Sequence, residues 1–163
     1  MAEFTIILIP NNPHYAPSAE AIATASKLLE DYFPERGGDV KHRLSSQPRF
    51  VSSDDNLEEF VCPGCSEIVD RFELEDEDGG EWWEQFQHAA GVAEEATAVA
   101  LEMPCCGQSL PLIAIDFKRD AGIARFELSV YEPGDETRVS TTQLAELERA
   151  LGCQLVQITR VNT

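Results

Sequence analysis

Cys62-Pro63-Gly64-Cys65 puts two thiols on one tight turn, the spacing at which a pair of thiolates reaches a single metal ion. Pro63-Gly64 favours that turn, because glycine takes backbone angles that other residues resist. A closed tetrahedral site then needs ligands from a second turn. The other concentration of thiols is Met103-Pro104-Cys105-Cys106-Gly107. It has the outline of a zinc-ribbon knuckle, Cys-Pro-x-Cys-Gly, with Met103 where the first cysteine would stand. Cys106 then occupies the usual ligand position and Cys105 a spacer position. Two arrangements remain open. Either Cys105 and Cys106 both bind, on a kinked backbone, or Cys106 binds and a histidine, acid or water completes the site. His88 is the outside candidate, although a lone histidine on a short helix is more often exposed or structural. Met103 is a poor ligand for zinc, being neutral and soft.

A redox reading competes. A Cys-Pro-Gly-Cys pair can shuttle a disulfide when its first thiol sits at a helix N-terminus, and Ser66-Glu67-Ile68-Val69-Asp70 is able to begin a helix. The acids around it raise a thiol pKa, however, which is the wrong direction, and the second pair of cysteines has no place in that scheme. A structural zinc ion held by Cys62, Cys65, Cys105 and Cys106 accounts for all four. It also closes the 39 residues between Cys65 and Cys105, a stretch with few core residues of its own. Such a site can contribute on the order of 10 kcal/mol to folding. Cys153, between a helix end and a strand, reads as a core residue.

Charge is the outlying feature of the composition. Thirty acids against twelve bases give a net charge of −18 in 163 residues. That field repels nucleic-acid phosphates and anionic membranes and attracts cationic partners. Nine acids fall between Glu67 and Glu84, opposed only by Arg71. The start, Met-Ala-Glu-Phe-Thr-Ile-Ile-Leu-Ile-Pro, lacks the basic head of a signal peptide, and its apolar run stops at Pro10. No run approaches the roughly 18 apolar residues of a membrane span. A cytoplasmic protein is therefore expected, with its thiols reduced. No Walker, Gly-x-Gly-x-x-Gly or Gly-x-Ser-x-Gly motif is present, and His14, His42 and His88 form no His-Glu-x-x-His pattern.

Working outward, Phe4 to Ile9 reads as a strand buried on both faces. Ser18 caps a helix carrying Ile22, Ala25, Leu29 and Tyr32, which Pro34 ends. Val40 to Leu44 and Phe50-Val51 are weaker strands separated by a polar stretch. Glu81 to Ala90 is a short helix with Trp82 and Phe86 on one face. Thr97, Val99, Leu101 and Met103 alternate as in a strand. Leu112 to Phe117 reads as another, and Ala124, Phe126, Leu128 and Val130 as a half-buried one. Ser140 with Gln143 forms a capping box ahead of Leu144, Leu147 and Leu151, Gly152 stops that helix, and Leu155 to Val161 returns as a strand.

These elements give a single α+β domain with β-α-β units at both ends. Residues 1–53 form an N-terminal β-α-β part, residues 54–111 an acidic segment with zinc-ribbon-like cysteine turns, and residues 112–163 a C-terminal β-β-α-β part. Adjacent tryptophans on a helix point about 100° apart. Trp82 is therefore expected to pack with Phe86 and Trp83 to face a partner, alongside Glu75, Asp76, Glu77 and Asp78.

The set Cys62-Pro-Gly-Cys65, Met103-Pro-Cys-Cys-Gly107, Gly122-Ile-Ala-Arg-Phe126 and Leu147-Glu-Arg-Ala-Leu-Gly152 resembles a group of short bacterial proteins. Their pattern runs through a Cys-Pro-x-Cys turn, a Met-Pro-Cys-Cys-Gly turn, a Phe-Ala-Arg-Phe-like strand and a β-α-β-like end. The resemblance covers roughly residues 60 to 160 and implies that Cys105 and Cys106 act together as ligands. It implies no reaction or substrate. The expectation is a non-enzymatic, zinc-stabilised acidic protein that binds or regulates a basic protein. The alternative is a thiol-redox enzyme using Cys62 and Cys65.

Overall fold

The computed structural model describes residues 3–76 and 80–162. It is mixed α and β, with strands β1 (Glu3–Pro10), helix α1 (Ala19–Tyr32), β2 (Val40–Ser52), β3 (Glu59–Val61), β4 (Ile68–Asp70), α2 (Arg71–Asp76), α3 (Gly80–Val92), β5 (Ala100–Glu102), β6 (Ser109–Pro111), β7 (Ala121–Tyr131), α4 (Thr141–Leu151) and β8 (Leu155–Asn162). Among these elements no helix is long and apolar enough to cross a membrane.

The two ends of the chain do not form separate units. They interleave into one antiparallel sheet of order β2-β7-β1-β8. Each β-α-β unit encloses a strand of the other, the split β-α-β arrangement. The reason lies in β1: Ile6 to Pro10 are all buried, so both of its faces and both of its edges need cover, and only a central strand receives that. Ile6 and Leu8 pack with Phe126, Leu128 and Val130 against Ile22, Ala25 and Leu29 of α1 and Leu147 and Leu151 of α4. The alternate residues Ile7 and Ile9 join Val51, Ala124 and Ile158 in another cluster.

Both long helices begin and end as their sequences dictate. Ser18 Oγ accepts from Ala21 N, Ser140 and Gln143 exchange both capping-box bonds, and Gly152 takes a left-handed φ of 78°. β2 is one strand with a register shift between Leu44 and Arg49, where two separate strands were expected. The polar stretch Ser45 to Pro48 is absorbed as that irregularity.

Two further expectations are corrected. Leu112 to Phe117 is not a strand: Leu112–Ala114 is a 3₁₀ turn, which places Leu112 and Ile115 on one side and buries both. The strand expected from Ala96 to Met103 is confined to β5, because Ala96–Ala98 is also a 3₁₀ turn. Both turns supply side chains to a second core, made of Leu57, Phe60, Trp83, Phe86, Met103 and Phe117 among others. That core meets the sheet at Phe50 of β2 and Ile123 of β7. The Phe50 ring lies edge-on to Phe86 and Phe117, at centroid distances of 6.1 and 5.6 Å.

Candidate metal centre

Two short hairpins carry the cysteines. β3 pairs with β4 across a turn whose ends are closed by Cys62 N to Glu67 O (2.8 Å) and Ser66 N to Cys62 O (2.9 Å). β5 pairs with β6 across a turn closed by Met103 N to Gln108 O (2.9 Å) and Gly107 N to Met103 O (2.9 Å). The two therefore correspond position by position: Cys62 with Met103, Pro63 with Pro104, Gly64 with Cys105, Cys65 with Cys106 and Ser66 with Gly107. The left-handed residue falls at the same place in each, Ser66 at φ 65° and Gly107 at φ 71°. Gly64 is not the residue that needs a positive φ. Its lack of a side chain serves close approach, since a Cβ there would lie 2.8 Å from Gln108 Oε1 of the facing hairpin.

Cys62, Cys65, Cys105 and Cys106 come together, their sulfurs all within 4.8 Å of one another, and no disulfide joins them. Cys65 Sγ is 3.4 Å from Cys105 Sγ, and Cys62 Sγ is 3.9 Å from Cys106 Sγ. Four thiolates around one ion at about 2.3 Å sit roughly 3.8 Å apart by tetrahedral geometry. The donor set and its spacing fit a metal ion. His88 is exposed and Cys153 half-buried, and neither belongs to the group. Cys105, the spacer by sequence position, joins the group, while Met103, which stands where Cys62 stands in the other hairpin, is buried.

Burial pushes the Cys62 thiol up, but the backbone N–H groups of Cys65 and Gly64 outweigh it and bring the thiol down to about 7. Gly64 N lies 3.4 Å from Cys62 Sγ. The Cys105 thiol goes the other way, raised to about 12 by burial and by its neighbours Cys65 and Cys62. Turn amides aimed at sulfur are what a thiolate held in place requires.

The expected contact surface needs correction. Trp83 is buried, 1% exposed, and faces no partner. Both tryptophans of α3 find cover: Trp83 stacks on Phe60 of β3, while Trp82 stacks on Phe86 and donates its Nε1–H to Glu102 O at 2.7 Å. Glu75 is exposed and pairs with Arg71 at 3.2 Å. Asp76 closes α2, and Glu77 and Asp78 lie outside the described residues. The residue that reasoning from sequence missed is Phe60, buried two positions before Cys62 as Leu101 is buried two positions before Met103. The matching runs Phe60-Val61-Cys62-Pro63 and Leu101-Glu102-Met103-Pro104 were the available signal.

No protein-family model matches the chain, and no curated protein matches it significantly. Two solved structures resemble it distantly: a Csm1–Csm4 cassette in complex with pppApApA, at 14% identity and a TM-score of 0.28, and a Csm1–Csm4 cassette in complex with one ATP, at 14% and 0.23. Each alignment covers 100% of this chain and 71% of the other. Likeness at those scores carries no argument about fold, ligand or partner.

Proposed function

We propose that the four cysteines hold one structural zinc ion in a zinc-ribbon-like pair of knuckles, and that the protein is a non-enzymatic, cytoplasmic binding or regulatory module for a basic protein. The observation that carries the metal part is the placement of Cys62. It is a member of the buried aromatic core and a member of the thiol group at once, so a metal there ties the two hairpins to that core. Zinc suits four thiolates in tetrahedral array, with no open position for substrate. A thiol-redox enzyme using Cys62 and Cys65 is supported less, because the first thiol of the pair is buried where a substrate disulfide does not reach.

The partner part rests on charge. Ion pairs among the described residues are few, Arg43–Glu127, Arg71–Glu75 and Arg160–Asp54. Around the first hairpin the acids crowd each other: burial raises the Asp120 carboxyl, and Glu58 and Glu59 raise it further. A cationic partner relieves that repulsion and is drawn in by the net charge. Elemental analysis of protein purified without added metal should give about one zinc per chain, as one closed four-ligand site implies. Immobilised zinc-loaded protein should retain a basic protein from its native lysate at low salt and release it as salt rises. No zinc overturns the first part, and an empty column the second.

A further inference from the structure

The four cysteines differ in the exposure of the whole residue. Cys62 is buried, Cys65 and Cys106 are half-buried, and Cys105 is exposed. This gradient has its origin in the replacement at Met103. Because Cys105 takes the position that Gly64 holds in the other hairpin, it sits at the tip of its turn. Its sulfur lies 3.4 Å from Cys65 Sγ, across the gap between hairpins, whereas Cys62 and Cys106 face each other at 3.9 Å.

The geometry points to Cys65 and Cys105 as a modification site, the pair that closes to a disulfide between the two hairpins when a hydroperoxide oxidises the centre, with loss of the metal. The inference rests on the metal reading above. A solvent-borne peroxide meets Cys105 first. The sulfur attacks one peroxide oxygen, the O–O bond breaks, and water leaves, giving the sulfenic acid. The Cys65 sulfur then attacks the Cys105 sulfur and expels the hydroxyl as a second water. With hydrogen peroxide as the oxidant, the two thiolates give up two electrons, two protons are taken from solvent, and the peroxide becomes two waters. Cys62 and Cys106 remain as thiolates, too few for a closed four-ligand site.

Competing pairs are disfavoured on the same grounds. Cys105 and Cys106 are adjacent, and Cα atoms about 3.8 Å apart across a trans peptide lie below the roughly 4.4 Å lower limit for a disulfide. Cys62 is shielded, and its sulfur is engaged by Gly64 N and faces Cys106.

The test uses zinc-loaded protein carrying Cys153→Ser, so that the fifth thiol cannot exchange. Hydrogen peroxide is added, zinc release is followed with a chromogenic chelator, and the protein is alkylated and cut with trypsin without reduction. Arg49, Arg71 and Lys118 place Cys62 and Cys65 on one peptide, 50–71, and Cys105 and Cys106 on another, 72–118. The expected result is zinc release in step with a linked pair of these peptides. Fragmentation of that pair should assign Cys65 and Cys105 in the unmutated centre, and Cys105→Ser should abolish the link. A disulfide within either peptide, a Cys62–Cys106 assignment, or zinc release without any link overturns the inference. The same mapping on metal-free protein keeps the two failures apart. Protein without zinc at the outset refutes the metal reading, while the sulfur assignment still decides this one.

Discussion

The indole of Trp83 lies flat against the ring of Phe60, with centroids 5.9 Å apart and 25° between the planes. Phe60 stands two residues before Cys62, on the strand that leads into the first cysteine turn. The contact therefore ties α3 to the thiol group through one strand. Trp83→Ala should cost about 3–5 kcal/mol, the usual range for deleting a large buried aromatic. Trp82→Ala should cost less, because that ring is partly exposed, although it also removes the bond to Glu102 O. Chemical denaturation of zinc-loaded protein checks the order. Equal losses would show that the helix is not held mainly through Phe60.

The separation into two cores makes a second prediction. The thiol group belongs to the core around Phe60 and Phe86, while α1 and α4 cover the sheet through a different cluster. Removing the metal with a chelator should expose the amides of β3 to β6 and α3 to hydrogen exchange and leave those of β1, β7, α1 and α4 protected. Uniform loss of protection would mean that Phe50 and Ile123 weld the two cores into one cooperative unit.

How much of this was legible follows from which signals are local. The caps at Ser18 and Ser140 and the stop at Gly152 are statements about neighbours in the chain, and each stands where its residues place it. The four cysteines could be grouped because thiolates have few other uses at that spacing. The interleaving of the two ends was not legible, since nothing near Phe4 or Leu155 announces that β1 pairs with both β7 and β8. Leu112 to Phe117 misled for a related reason. A short apolar run fits a strand and a buried 3₁₀ turn alike, and only the core shared with Phe86 and Met103 decides between them. Trp83 was misjudged because both indoles of α3 find cover, Trp83 on Phe60 and Trp82 on Phe86 and Glu102 O.

Gly122 tests the packing of β7 against β1. A Cβ there would fall 2.5 Å from Ile9 Cδ1, and Ile9 is itself buried. Gly122→Ala should cost about 1–3 kcal/mol through overpacking. Pairing it with Ile9→Val, which withdraws the clashing methyl, should recover part of the loss. Denaturation midpoints of the two single variants and the double variant measure the coupling, and strict additivity would place the strain elsewhere.

Alkaline pH probes the packing of α1 on α4. Tyr32 donates to Glu146 Oε1 at 2.8 Å, and its phenol is raised from 10.0 to about 12, by burial first and then by that carboxylate. A raised folded pKa means that the folded state holds the proton more tightly. The stabilisation is thus complete below pH 10 and is lost as pH rises toward 12. The denaturation midpoint of the native protein should fall across that window, and Tyr32→Phe should flatten the fall. Parallel curves would assign the loss to other groups.

The correspondence of the two turns supplies the last prediction. Met103 holds the position that Cys62 holds in the first hairpin, buried like it and closed by the same pair of backbone bonds. If Cys105 serves as fourth donor only because Met103 cannot, its role should be transferable. Cys105→Ser alone removes an exposed donor and should weaken zinc binding, since three thiolates and a water replace four thiolates. Adding Met103→Cys to that variant puts a thiol in the position of Cys62, flanked by the same proline and followed three residues on by Cys106. Zinc affinity of the double variant should return toward the native value, read by competition with a chelator of known affinity. The cost is the loss of the Met103 side chain from the core, so thermal stability should not recover fully. Restored affinity with incomplete stability would show that the hairpins are equivalent metal knuckles. Affinity that stays low would mean that the facing backbone, closed tightly at Gly64 and Gln108, is set for a donor at the tip.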